Sequence, residues 1–197
     1  ASLTAAGVSL SWQITDDLTN FVVYKRVKGN AEWSTLTKTN SSVTTIHDTA
    51  VKSGTTYEYA IQAISNDGTF TSGLSDIKSV TFLSKIATVK VSNIAGGVKV
   101  TWSAVKGAKN YIVYRRLTDG TWKTLKKVSA STRSFTDKTA VSNKEYYYTV
   151  RAEANGYKSA YQNYPIYHLA APKITGFDSQ IGKGITVKWS KVAGATQ

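Results

Sequence analysis

Between residues 98 and 102 apolar and polar side chains alternate: Val98, Val100 and Trp102 fall on one side, with Lys99 and Thr101 between them. A period of two is that of a strand with one buried face. A second run, Tyr111 to Arg116, is short, aromatic and β-branched, and Gly107 and Asn110 supply turn residues between the two. The whole stretch, VKVTWSAVKGAKNYIVYRR, has an almost parallel copy, VSLSWQITDDLTNFVVYKR, at 8–26, and a truncated third, ITVKWSKVAGATQ, ending at Gln197. The pattern predicts a repeat array of strands joined by turns.

In the first copy the alternation predicts strand B at Val8 to Gln13, a connecting segment TDDLTN, strand C at Phe21 to Arg26, and a further strand at Trp33 to Thr37 after the Gly29–Asn30 turn. Ile46 falls on the core face of strand E, with Asp48 opening the next loop. Tyr57, Tyr59, Ile61 and Ala63 line one face of strand F, and Leu74 to Phe82 forms the last strand. The second copy repeats this order: a hairpin turn at Asp119–Gly120, a strand at Trp122 to Val128, Phe135 and Asp137 in the places of Ile46 and Asp48, and Tyr146, Tyr148, Val150 and Ala152 on one face of strand F. Asn155–Gly156 then turns the chain into strand G, Tyr161 to Tyr167, where Pro165 requires a sheet edge. A Trp-bearing strand followed by an aromatic strand is how strands B and C of an immunoglobulin-like sandwich begin, so the expected fold class is all-β, as tandem sandwiches. The expected domains are 1–84, beginning part-way along strand A, then 85–170, then the first two strands of a third repeat at 171–197. Two strands are too few to bury a core. Something is therefore expected to cover Ile185, Val187 and Trp189, either the second repeat or another molecule. The links, roughly Leu83 to Ile86 and Leu169 to Pro172, are short and restrict the angle between neighbours, as in a jointed rod.

By strand F the residues resemble fibronectin type III domains, in particular the tandem copies of large secreted and surface proteins of Gram-positive gut bacteria and clostridia. The matching marks are Trp12 and Trp102 in strand B, YIVYRR in strand C, TDK after the strand E aromatic, and YYYTVRA in strand F. The resemblance implies a sandwich held by packing, with Trp12, Trp102 and Trp189 as core residues. It also implies tyrosine corners at Tyr57 and Tyr146, whose hydroxyls bond to backbone upstream. Such domains serve as spacers, adhesive modules and accessories to enzymes. The F–G loops here read ISNDGTFTSG and EANGYK, with no Arg-Gly-Asp, so integrin binding is not implied.

The 197 residues include no Cys, which removes disulfides and cysteine metal sites and fits an exported bacterial domain. No apolar run approaches the ~20 residues of a membrane span. The net charge of +13 is uneven: residues 1–85 balance to zero, 86–170 carry +10 and 171–197 carry +3. A polyanion partner, whether wall polymer, acidic glycan or nucleic acid, is one reading of that excess, and scattered Lys solubilising a β-rich surface is the other. Nine of the twelve tyrosines lie in the second repeat. Tyr147, Tyr157, Tyr161 and Tyr164, with Lys158 and Arg151, are the candidate contacts for a glycan or polyanion; covering a neighbouring repeat is the competing role for these tyrosines. Tyr167 and Lys144 belong to the same neighbourhood. Trp33 and Trp122 recur and are expected to pack on a sheet face.

Catalytic, cofactor and metal residues are expected to be none. His47 and His168 lack a second ligand at metal spacing and read as partly exposed strand residues. Asp48 and Asp137 recur with the scaffold, which argues for turn hydrogen bonding rather than acid–base work. Gly96–Gly97 connects strands A and B, and the NSS at Asn40 is a chance-frequency acceptor motif. The expected role is a non-catalytic spacer or interaction module outside the cell, secreted or wall-attached. Its partners are other domains of the same polypeptide or a glycan, not nucleic acid and not a membrane interior.

Overall fold

A computed structural model describes residues 1–13 and 19–196; most of the TDDLTN segment expected before strand C lies outside the described residues. Strands β1 (Ser2–Leu3), β2 (Val8–Ser11), β3 (Thr19–Val27), β4 (Ser34–Thr39), β5 (Thr45–Asp48), β6 (Thr56–Ser65) and β7 (Lys78–Thr81) form two antiparallel sheets, ordered β1-β2-β5 and β4-β3-β6-β7. Next come β8 (Val89–Ile94), β9 (Gly97–Trp102), β10 (Asn110–Leu117), β11 (Lys123–Ser129), β12 (Ser134–Asp137), β13 (Lys144–Ala154), β14 (Tyr157–Lys158) and β15 (Tyr164–His168). They repeat the plan, with β12-β9-β8 as one sheet and β11-β10-β13-β14 as the other, β15 pairing with β13. Strands A, B and E thus share one sheet, and C, its successor, F and G the other. The architecture is all-β, in tandem immunoglobulin-like sandwiches.

By contact density the chain forms two compact units. The first holds 1–86 with the segments 104–111 and 151–161; the second holds 87–103, 112–150 and 162–197.

In the first unit, Val8, Leu10, Val23, Tyr57, Tyr59, Val80 and Phe82 form the core, with Leu3, Trp12, Leu36, Ile46 and Ile61 packed against it. Trp12 meets the edge of Phe21 at 5.9 Å, the T-shaped arrangement that ring quadrupoles favour. In the second unit, Val98, Val100 and Trp102 are buried on one sheet, and Val113, Tyr146, Tyr148 and Val150 on the other. The alternation read from the sequence is therefore the alternation of the inner faces.

Three expectations about strands fail. The last strand of the first copy shrinks to β7, and Leu74 and Ile77 are exposed. Serines explain this: the Ala63 and Ile61 amides donate to the Ser72 and Ser75 hydroxyls at 2.9 and 3.0 Å, so side chains replace the backbone acceptors a ladder would supply. Strand G of the second copy splits into β14 and β15, with the Ala152 amide bonded to Ser159 Oγ at 3.1 Å and Tyr161 left outside both.

The third failure concerns the closing hairpin, β16 (Ile174–Gln180) and β17 (Gly184–Trp189), which pair only with each other. Among the described residues none covers their apolar face, so the second repeat does not supply the expected cover: Ile185 is 72% exposed and Trp189 65%, and Val187 is also exposed. Trp189 is not a core residue here. Its counterpart Trp102 is 5% exposed because a second sheet faces it, and no described residues form such a sheet over β17. The opposite, polar face is closed by Lys188 and Asp178 at 2.5 Å.

Candidate functional site

Both sandwiches bury one carboxylate between their sheets. Asp48 ends β5, and its Oδ1 accepts the Ala50 amide at 3.0 Å, the turn bond expected from sequence. Its Oδ2 turns inward, accepting the Tyr59 hydroxyl at 2.7 Å and pairing with Lys25 Nζ at 2.6 Å. Asp137 ends β12 and does the same. Its Oδ1 accepts the Thr139 amide and hydroxyl at 2.9 and 2.7 Å, and its Oδ2 meets Tyr148 Oη at 2.8 Å and Arg115 Nη1 at 2.6 Å. Each carboxylate ties the B–E sheet to strands C and F of the opposite sheet. Sequence reading found the turn role and missed this inward half, whose partners lie 11 and about 22 residues away. Recurrence of Lys or Arg one position after the strand C tyrosine was the available signal.

The electrostatics follow from the geometry. Burial works to raise the Asp137 pKa, but the Thr139 and Tyr148 bonds and the Arg115 charge outweigh it and hold the carboxyl below its ordinary value. Burial likewise opposes the Arg115 charge, and the Asp137 charge and hydrogen bond reverse that effect, so its pKa is raised. Burial, and then Asp48 or Asp137, push the Tyr59 and Tyr148 phenols far above their usual value, so both stay proton donors. A carboxylate whose lone pairs are filled in this way orients a scaffold. Asp137, held below the ordinary carboxylate range, is not poised to exchange protons near neutral pH.

The tyrosine corners have direct geometry. Tyr57 Oη accepts the Lys52 amide at 3.0 Å, and Tyr146 Oη accepts the Val141 amide at 2.9 Å, each five residues upstream. Tyr111 adds a third anchor that the sequence reading passed over, accepting the Val105 amide at 2.8 Å. Gly7 and Gly97 lie hard against the carbonyls of Asp48 and Asp137, where a Cβ would overlap the oxygen. Gly97 is thus a close-approach residue as well as a connector.

On the outer sheet faces the two copies differ. Arg26 lies over the Trp33 ring at 4.3 Å and pairs with Glu58 at 2.8 Å. Arg116 lies over Trp122 at 5.3 Å, but Tyr147 stands where Glu58 stood, 4.6 Å from the guanidinium, and Arg116 donates to the Thr118 carbonyl at 2.9 Å. Among the described residues Arg116 has no carboxylate partner.

The remaining candidates separate. Tyr147 and half-buried Tyr164, which sits opposite Tyr148, belong to the second unit. Arg151, Tyr157, Lys158 and Tyr161 belong to the first. Arg151 is fixed by the Ser159 and Lys158 carbonyls at 2.7 and 3.2 Å, with exposed Tyr161 5.3 Å from its guanidinium. Tyr157 is not a free contact: it packs against the core cluster and donates its hydroxyl to the Ser79 carbonyl. Tyr167 is exposed and bonds Asn143.

His47 is exposed. His168 is not the partly exposed residue expected; at 2% exposure it ends β15, with Nδ1 2.7 Å from Asn93 Oδ1. Among the described residues no three His, Asp or Glu side chains gather as metal ligands, and no helix is long and apolar enough to cross a membrane. An open cleft of about 630 Å³ in the first unit is lined by Leu10, Trp12, Phe21, Tyr59, Leu74 and Lys78.

No protein-family model matches the chain, and no curated protein matches it. Among solved structures, it is similar to a two-domain fibronectin type III segment of chicken tenascin, at 14% identity over 85% of this chain and 95% of that one, TM-score 0.45. It is also similar to the FN1–FN3 domains of chicken CNTN1, at 14% identity over 84% and 63%, TM-score 0.40. A third similar structure, an FN3tt mutant, shares 22% identity over 43% of this chain and 94% of its own, TM-score 0.39.

Proposed function

We propose that this chain is a non-catalytic spacer or interaction segment, built of tandem fibronectin type III-like sandwiches, of an exported bacterial surface protein, and that it projects other domains of the same polypeptide. The observation that carries this reading is the recurrence of the buried Asp–Tyr–Lys/Arg cluster in both sandwiches. The buried carboxylates and phenols of these clusters are occupied in holding sheets together, and they repeat with the scaffold. In this reading the domains are 1–84, 85–170 and a partial third from 171. Small-angle scattering from the whole chain tests it: a spacer gives an extended particle whose dimensions persist at high salt, and a compact one contradicts it.

A second reading, binding of a glycan or anionic wall polymer by the second repeat, is favoured by one observation. Arg116 keeps its aromatic partners while the carboxylate that neutralises Arg26 is replaced by Tyr147. Retention on cell-wall material and polysaccharides at two salt concentrations checks it. Arg116→Ala should lose salt-sensitive retention and Arg26→Ala should not; equal loss from both refutes it.

A further inference from the structure

Two groups of hydrogen bonds, one in each unit, are the same bonds. In the first unit Ser53 Oγ accepts the Ser84 amide at 3.0 Å and donates to the Lys106 carbonyl at 2.9 Å. In the second, Ser142 Oγ accepts the Ala170 amide at 3.0 Å and donates to the Ala193 carbonyl at 2.9 Å. The residue after each serine is also alike. The Gly54 amide donates to Phe82 O and the Asn143 amide to His168 O, both at 2.8 Å, and both residues are left-handed, at φ +84° and +64°.

The loops that receive these serines match as well. Val105-Lys106-Gly107-Ala108 and Val192-Ala193-Gly194-Ala195 each close a turn with the last amide on the valine carbonyl at 3.2 Å, and each glycine is left-handed, at φ +83° and +84°. A Cβ on Gly107 would overlap the Gly54 backbone, and one on Gly194 would lie 2.7 Å from Asn143 Cγ. Only glycine fits between loop and turn. Two further bonds in the first unit tie the turn after strand F to the end of β7: Asn155 Nδ2 to Thr81 Oγ1 at 3.1 Å, and Tyr157 Oη to the Ser79 carbonyl.

We propose that the E–F turn serine, Ser53 or Ser142, with the link that follows strand G, is a docking surface for the Val-x-Gly-Ala turn of a following copy of the same fold. The chemistry is specific. A serine hydroxyl has one proton to donate, and here it goes to the carbonyl of the variable residue, while its lone pair takes the link amide. Recognition therefore reads backbone and glycine rather than the side chain, which is Lys in one case and Ala in the other. The partner class is a sandwich whose B–C loop carries Val-x-Gly-Ala, and the consequence is a joint encoded at every boundary that has both halves.

This inference rests on the array reading above, but its test reads two hydrogen bonds rather than the length of a particle, so the two can fail separately. Amide exchange and resonance positions are measured in the full chain. Ser53→Ala should speed exchange of the Ser84 amide about fivefold, the effect of one hydrogen bond. It should also move the amides of 105–108 while leaving Ala170 and 192–195 unchanged, and Ser142→Ala should give the mirror image. If the 105–108 amides stay at their wild-type positions in the first variant, the docking is wrong. Gly107→Val guards against local rearrangement of the E–F turn. It should perturb the Ser53 and Ser84 amides, whereas Gly29→Val, at φ +94° with no neighbour within 4 Å, should not. Unperturbed Ser53 and Ser84 signals in Gly107→Val would also overturn the proposal.

Discussion

Asp137 makes four close polar contacts, and removing it leaves the Arg115 guanidinium, only 16% exposed at its side chain, without its counter-charge. Breaking a buried pair from one side costs about 3–5 kcal/mol. Asp137→Ala should therefore lower stability by about that amount in urea titration. Asp48→Ala should cost less, because Asp48 has Ala50 where Asp137 has the Thr139 hydroxyl. The depressed Asp137 pKa also sets a pH dependence. The unfolded chain takes up the proton first, near the ordinary carboxylate value of about 4, so the contribution is complete above that value and is lost as pH falls through the lower folded value. Asp137→Asn should flatten the decline in melting temperature below about pH 4; an unchanged acid slope would contradict the assignment.

At the scale of single elements, Gly97 and Tyr146 carry the sharpest expectations. Gly97→Ala should destabilise strongly through its clash with the Asp137 carbonyl, whereas Gly96→Ala, with nothing within 4 Å, should be near neutral. Tyr146→Phe strands the Val141 amide and should cost about 1–3 kcal/mol in thermal or urea melts. Trp102→Ala should cost about 3–5 kcal/mol and Trp189→Ala far less, since only the first is enclosed. The elements that could be read from sequence are those whose signal is local. Period-two alternation gave β9 and β13, and Asn155–Gly156 gave the hairpin after β13. What escaped depends on partners distant in the chain. The inward half of Asp48 needs Lys25 and Tyr59, Tyr157 finds its place only against the core of the first unit and the Ser79 carbonyl, and Ser72 and Ser75 displace the ladder that Leu74 to Ile77 were expected to join. The exposed face of β17 escaped for the opposite reason: its alternation is that of a core strand, and alternation cannot say whether a second sheet is present.

At the scale of the whole molecule, the proposed spacer role sets an expected size. That role is tested most directly by small-angle X-ray scattering from the full chain at low and high salt. A compact 197-residue globule has a radius of gyration of about 16 Å. Sandwiches with strands of about ten residues, roughly 33 Å long and arranged head to tail, give a clearly larger value with an elongated distance distribution. A spacer has that larger radius at both salt concentrations. A radius near 16 Å at either would contradict the spacer role.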